Sequence, residues 1–306
     1  MLGATLTSVF FALSITLAQR SLKELGQMRA NLGRLLVAAL ALGIYAHTAG
    51  TGFRSVSTGW LLFSGVVGMG LGDLALFHAL PRLGSRLSLL MTQCLAAPIA
   101  AVCEWLWLGT RLTGAQVAWS AVILGGVAFA LMPDRAHPPR VTVRGSGFVL
   151  GLFSAAGQGL GAIITRKGNL VSLAAGAGPL DGINAAYHRI LGGLAVTVLW
   201  FGLWHWLRPA PAAAAPAAID SSPLAPRRSR YLWVVGNGLA GPVIGVSCYQ
   251  WALTTMPSGV VLPIVATSPL VAIPLIWAIE GDRPTTRSVL GGIVAVAGVV
   301  GLALCA

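Results

Sequence analysis

The sequence predicts an all-α polytopic membrane protein, with ten transmembrane helices arranged as two inverted five-helix repeats. Three observations predict it. The 306 residues have a mean hydropathy of +0.81, with 56% hydrophobic and only 9% charged, which lies outside the range of soluble globular domains. Apolar runs of about 20 residues, the length of a helix that crosses a bilayer core, recur almost end to end. They are too long and too uniformly apolar to be barrel strands, the other structure lipid tolerates. One stretch also occurs twice: Gly65 to Leu80, GVVGMGLGDLALFHAL, returns as Gly238 to Leu253, GLAGPVIGVSCYQWAL. Gly65, Gly68 and Gly72 align with Gly238, Gly241 and Gly245, and both copies close on Ala-Leu. Such glycines share a helix face, and a face without Cβ atoms lets another helix approach closely where lipid supplies no hydrophobic push. Each stripe is therefore expected to mark a helix contact.

The first run, 4–19, has no basic leader and no small-residue cleavage site after it, so it is expected to be a retained span rather than a signal peptide. Runs 33–49, 59–80, 87–108 and 114–132 complete a first repeat over residues 1–133. The linker 134–145 follows; the stretch PDRAHPPRVTVRG, from Pro133, carries three prolines and three arginines and cannot continue a helix. The second repeat, 146–306, holds runs 147–165, 186–207, 231–254, 259–280 and 287–305. Between its second and third spans an alanine and proline tract, within 209–229, reads as a disordered surface loop.

The net charge of +12 comes from 20 Lys and Arg scattered through short connections, so it reads as topology and not as a nucleic-acid surface. Fifteen of them fall in connections after odd-numbered spans and five after even-numbered ones, which places both termini outside by the positive-inside rule. Cys94, Cys103, Cys248 and Cys305 lie in apolar runs without CxxC or metal spacing, so neither disulfide, metal nor cofactor is expected.

The repeat extends beyond its opening motif. Gly109-Thr110-Arg111-Leu112-Thr113 matches Gly281-Asp282-Arg283-Pro284-Thr285, Gly126-Val127 matches Gly298-Val299, Arg20 pairs with Arg166 and Arg34 with Arg189. An odd number of spans per copy puts the second copy upside down in the membrane, an architecture of transporters. On these residues the chain resembles the drug/metabolite transporter superfamily, in particular its members with two EamA-type repeats. The resemblance covers nearly the whole chain, and implies export of a small organic metabolite across the cell membrane. It also implies cytoplasmic termini, against the basic-residue count. Members usually carry an acid within a Gly-Glu-Arg element after the fourth and ninth spans. Thr110 and Asp282 hold those places, so the first copy departs from the pattern.

Asp73 is the one carboxylate clearly inside a predicted span, where a charge costs roughly 2.5–3.5 kcal/mol on insertion scales, so it must face protein or water. A helical wheel groups Gly70, Asp73, Phe77 and Leu80 on one face and Val246, Gln250 and Leu253 on its counterpart, making Asp73, Phe77 and Gln250 candidates for a substrate or proton path. Asn237 and Tyr249, with Gln93 and Gln158 deep in their spans, are further candidates; hydrogen bonding between helices explains these polar residues equally well. His188 and Arg189 read as headgroup anchors, and Glu104, beside Trp105 and Trp107, as part of an interface belt. Pro263, Pro269 and Pro274 each remove a helix hydrogen bond from the ninth span, which should bend for binding or gating, with Thr267 and Ser268 able to satisfy the freed carbonyls.

These features favour a carrier of an amino acid, nucleoside or drug-like compound that works by alternating access, with the intramembrane acid suggesting coupling to protons. Its expected partners are the lipid bilayer, a small-molecule substrate and protons. A membrane enzyme acting on lipid headgroups would need clustered acids, histidines or nucleophiles near one interface, and the eight Asp and Glu form no such cluster in sequence. A non-transporting scaffold or receptor is the third reading.

Overall fold

The computed structural model describes residues 1–132, 143–207, 227–280 and 285–305. Most of the linker, the Ala/Pro loop and the Gly281–Pro284 element with Asp282 lie outside these residues. The described chain is helical without strands, and ten helices are long and apolar enough to cross a membrane. They are α1 Leu2–Leu25, α2 Gln27–Thr48, α3 Thr58–Leu83, α4 Ser85–Leu108 and α5 Gly114–Leu131. The second set is α6 Gly145–Ala174, α7 Gly182–Leu207, α8 Tyr231–Thr255, α9 Ser258–Leu275 and α10 Thr286–Leu304.

Three spans reach further than hydropathy predicts. α2 and α7 begin before residues 33 and 186, and α6 continues past residue 165. Each has an arginine at or near the predicted end, Arg34, Arg189 and Arg166, and each of these lies inside the helix and bonds to protein groups. Removing these three arginines from the connections leaves fourteen basic residues against three, the same sign as before.

Local signals set the ends. α3 passes to α4 through Gly84, at φ 79°, a conformation glycine adopts without strain. α5 starts on a capping box in which the Thr113 side chain accepts from Gln116 N–H and the Gln116 side chain accepts from Thr113 N–H. Its counterpart, Thr285, accepts from Ser288 N–H at the start of α10.

The two copies of the repeated stretch share a departure from α geometry. Val66–Gly72 in α3 and Leu239–Gly245 in α8 are wound as wide π-helical turns at matching positions. α9 is interrupted instead of bent: helices Ser258–Val265 and Ser268–Glu280 meet at Ala266 and Thr267. Pro269 falls in the first turn of the second helix, where an N–H has no helical partner to lose. Around the break, the Ile264 carbonyl accepts from Ser8 Oγ and Thr267 Oγ1, both at 2.7 Å, and Val265 O accepts from Ser268 Oγ at 2.6 Å. Gly259 O, freed by Pro263, accepts from Ser120 Oγ at 3.4 Å.

The halves interlock. α3 packs on α6 and α7 of the other half, and α8 on α1 and α2. α4 lies on α6 and α9 on α1, while α2 meets α7 and α5 meets α10. Each contact maps onto another, or onto itself, when the halves are exchanged.

Candidate functional site

The repeated stretch builds a polar centre on α3. Asp73 follows directly on the wide turns and is buried. Its Oδ2 lies 3.3 Å from Arg34 Nη2 of α2, and its Oδ1 accepts from Gln158 Nε2 of α6 at 3.0 Å. Arg34 Nε also donates to Asn31 Oδ1 at 2.8 Å, which fixes the guanidinium beside the carboxylate. Gln158 Nε2 reaches Gly68 O at 3.3 Å, so one amide ties the acid to the backbone of the wide turns.

On the far side of Gly68 lies Arg189 of α7, only 2% exposed. Its Nη1 donates to Ser64 Oγ at 2.7 Å, Gly161 O at 3.2 Å and Thr165 Oγ1 at 3.4 Å, and its guanidinium carbon sits 5.3 Å from the Tyr249 ring centre. Glycines make room for it. A Cβ on Gly68 would stand 2.7 Å from Arg189 Nη2, and one on Gly161 3.2 Å from the same atom. Ser64, Asp73, Gln158, Thr165, Arg189 and Tyr249 thus draw α3, α6, α7 and α8 around one buried polar region, with Arg34 entering from α2.

The glycine stripes sit at matching contacts. A Cβ on Gly65 would overlap the Arg189 carbonyl, and one on Gly238 would approach the carbonyl of Arg34, the counterpart of Arg189, at 3.0 Å. Gly72 faces Gly157 Cα, Gly241 the Ser14 side chain and Gly245 the Phe11 ring.

Among the other predicted residues, Asn237 Oδ1 accepts from Ser14 Oγ at 2.6 Å, and Phe77 and Gln93 are half-buried. Gln250 is fully buried, but no bond joins it to Asp73 among the described residues; both of its amide atoms and the Tyr249 hydroxyl are without partners there. Pro263 and Pro269 flank the break in α9, and Pro274 lies within its second helix.

Two expectations are corrected. Arg189 and His188 are not headgroup anchors: both are buried, and His188 Nε2 lies 3.0 Å from Gly52 O. Glu104 does not belong to an interface belt. It is 1% exposed, its Oε1 lies 3.1 Å from Arg166 Nε, and its Oε2 accepts from Ser258 N–H at 2.7 Å and from the Ser258 hydroxyl. Arg166 Nη1 and Asn169 Nδ2 both donate to Leu253 O, so this second polar cluster ties α4, α6, α8 and the start of α9 together. Sequence reasoning missed both arginines as buried groups, although their pairing across the repeat, Arg34 with Arg189 and Arg20 with Arg166, was a usable signal.

The model of the EamA-like transporter family matches residues 1–132 and again 145–304. No curated protein matches the chain in sequence. Among solved structures, a crystal structure of a protein 16% identical in sequence matches with a TM-score of 0.70, covering 98% of this chain and 97% of that one, a likeness of fold.

Proposed function

The chain belongs to the EamA-like transporter family, a family of membrane transporters, and on that premise we propose that it exports a small organic metabolite by alternating access. The amino acids, nucleosides and drug-like compounds are the substrate classes in view. The halves, 1–133 and 146–306, would lie inverted in the cell membrane and rock against each other about the polar centre. The observation that carries the reading is the partly buried chain of bonds from Arg34 through Asp73 and Gln158 to Gly68, set against the wide turns of α3 where the halves interlock. Polar groups of this cost in a membrane mark pathways for ions or substrates.

In this reading Asp73 takes and releases a proton as the carrier turns over. Its bond to Arg34 holds the charged form, and protonation frees Arg34 and loosens α2 from α3. The matching wide turns of α3 and α8, with the break in α9, are the places where the helices give.

The test is flux. The purified chain in proteoliposomes, with an imposed proton gradient, is offered labelled members of the three substrate classes. Accumulation of one of them above its equilibrium level, abolished when the gradient is collapsed, is the expected result. Solute that only equilibrates would remove the coupling, and the absence of flux for every class would leave a scaffold or receptor.

A further inference from the structure

We propose that Arg189 anchors the carboxylate of a small monoanionic organic solute, an inference that rests on the carrier reading above. The argument starts from charge. The ion pairs among the described residues include Arg34 with Asp73 and Arg166 with Glu104, and among these residues no carboxylate lies within ion-pair distance of Arg189. A guanidinium this deep, in a segment apolar enough to cross a membrane, is costly unless something neutralises it.

The repeat sharpens this. Arg34 and Arg189 are counterparts, and the first half answers its arginine with Asp73, whereas the corresponding position of the second half is Val246. The second half therefore keeps the cation and lacks the acid. With Asp73 charged, as its pairing to Arg34 requires, two guanidinium groups and one carboxylate leave one positive charge, which a monoanion balances and a phosphate dianion would exceed.

The donors point the same way. All three hydrogen bonds of Arg189 leave from Nη1, so the edge formed by Nε and Nη2 has no acceptor among the described residues. That edge is the fork which takes a carboxylate through two parallel bonds. Tyr249, whose ring lies against the guanidinium, has a buried hydroxyl without a partner, and so does the amide of the adjacent Gln250. Buried polar side chains are almost always paired, so unpaired atoms on Tyr249, whose ring lies against the guanidinium, and on its neighbour Gln250 fit groups that a ligand completes. Gly68 and Gly161, where a Cβ would crowd Nη2, give the guanidinium the room it occupies.

The experiment measures binding to the purified full chain in nanodiscs by calorimetry, with lactate, benzoate, phenylpyruvate and indole-3-acetate as probes, each beside its own primary amide. At least one acid is expected to bind, with its amide weaker by about tenfold or more. Arg189→Gln should erase the preference for acid over amide, and Arg189→Lys should restore it in part, because it keeps the charge but loses the fork. Tyr249→Phe removes only the unpartnered hydroxyl and should weaken the acid alone, and it decides the matter if the arginine variants do not fold. Equal binding of acid and amide, binding by none of the acids, or a preference that survives in Arg189→Gln and in Tyr249→Phe would overturn the proposal. The same preparations are assayed for flux. Neutral solutes carried independently of Arg189 would refute the carboxylate site and keep the carrier. Arg189-dependent binding of an acid without flux would do the reverse.

Discussion

Replacing Asp73 by Asn separates a working acid from a structural one, because it removes the charge and the exchangeable proton while keeping size and shape. The geometry sets the structural cost. Breaking a fully buried ion pair costs about 3–5 kcal/mol, and an exposed pair contributes at most about 1 kcal/mol. The Arg34 side chain is 23% exposed and the Asp73 side chain 12%, and Arg34 keeps its bond to Asn31, so the loss should fall near 2 kcal/mol, between those limits. The new amide can turn its oxygen to Arg34 only by presenting its NH2 to Gln158. Gln158 must then flip and give up its bond to Gly68 O. The variant should therefore insert and fold, with a melting temperature in detergent lowered by a few degrees. In proteoliposomes it should still let the transported solute equilibrate, yet fail to concentrate it against an imposed proton gradient, and its flux should no longer change with external pH. A variant that concentrates the solute with the wild-type pH profile refutes the reasoning and leaves Asp73 as a bond between α2, α3 and α6.

Glu104→Gln should destabilise the protein by about 3 kcal/mol or more, because it leaves Arg166 without its acid in a buried cluster; thermal unfolding in detergent checks this, and a melting temperature within a degree of wild type would contradict it. Pro269→Ala adds an N–H that the Val265 carbonyl can accept only if Ala266 and Thr267 wind into the helix, so it should favour α9 running on through its break, slowing turnover more than it changes the concentration for half-maximal transport. An unchanged rate in a normally inserted variant would make Pro269 a packing feature. Gly126→Ala should disturb the seam of α5 and α10, where its Cβ would stand 2.7 Å from Ala295 N and Gly291 O, at a cost of about 1–3 kcal/mol, whereas Gly125→Ala, with open space around it, should be silent. Reporter fusions decide topology: the fourteen-to-three distribution predicts the 208–226 connection inside and Ala306 outside, and an active alkaline phosphatase fused in that connection would refute it.

The membrane class, the ten spans and the two copies were legible because they rest on quantities that add along the chain, hydropathy and spacing. The glycines could be read as contact positions for the same reason: a missing Cβ has one main use on an apolar helix. The buried charges were not legible. An arginine that ends an apolar run looks the same whether it faces headgroups or a partner brought from far along the chain. Arg189 meets Ser64 and Glu104 meets Ser258, pairs that only the packing of α3 on α7 and of α4 on α9 brings together. Hydropathy therefore ended α6 just before Arg166 and began α2 and α7 close to Arg34 and Arg189, short of the full helices whose interior these residues build.

The wide turns explain a subtler failure. A wheel drawn at a constant angle per residue places Asp73 and Phe77 relative to the glycine stripe as if α3 were uniform. Val66–Gly72 is wound more widely, so every residue after it is rotated away from its place on that wheel. The same rotation applies to Gln250 after Leu239–Gly245. Asp73 is accordingly held by Arg34 and Gln158, while Tyr249, one residue before Gln250, lies against Arg189. The glycine density that permits close packing also permits the rewinding, because Gly68, Gly70 and Gly72 leave the backbone carbonyls of that stretch unshielded by side chains. One local feature of the sequence thus both identifies the repeat and turns its polar residues onto the faces where they are found.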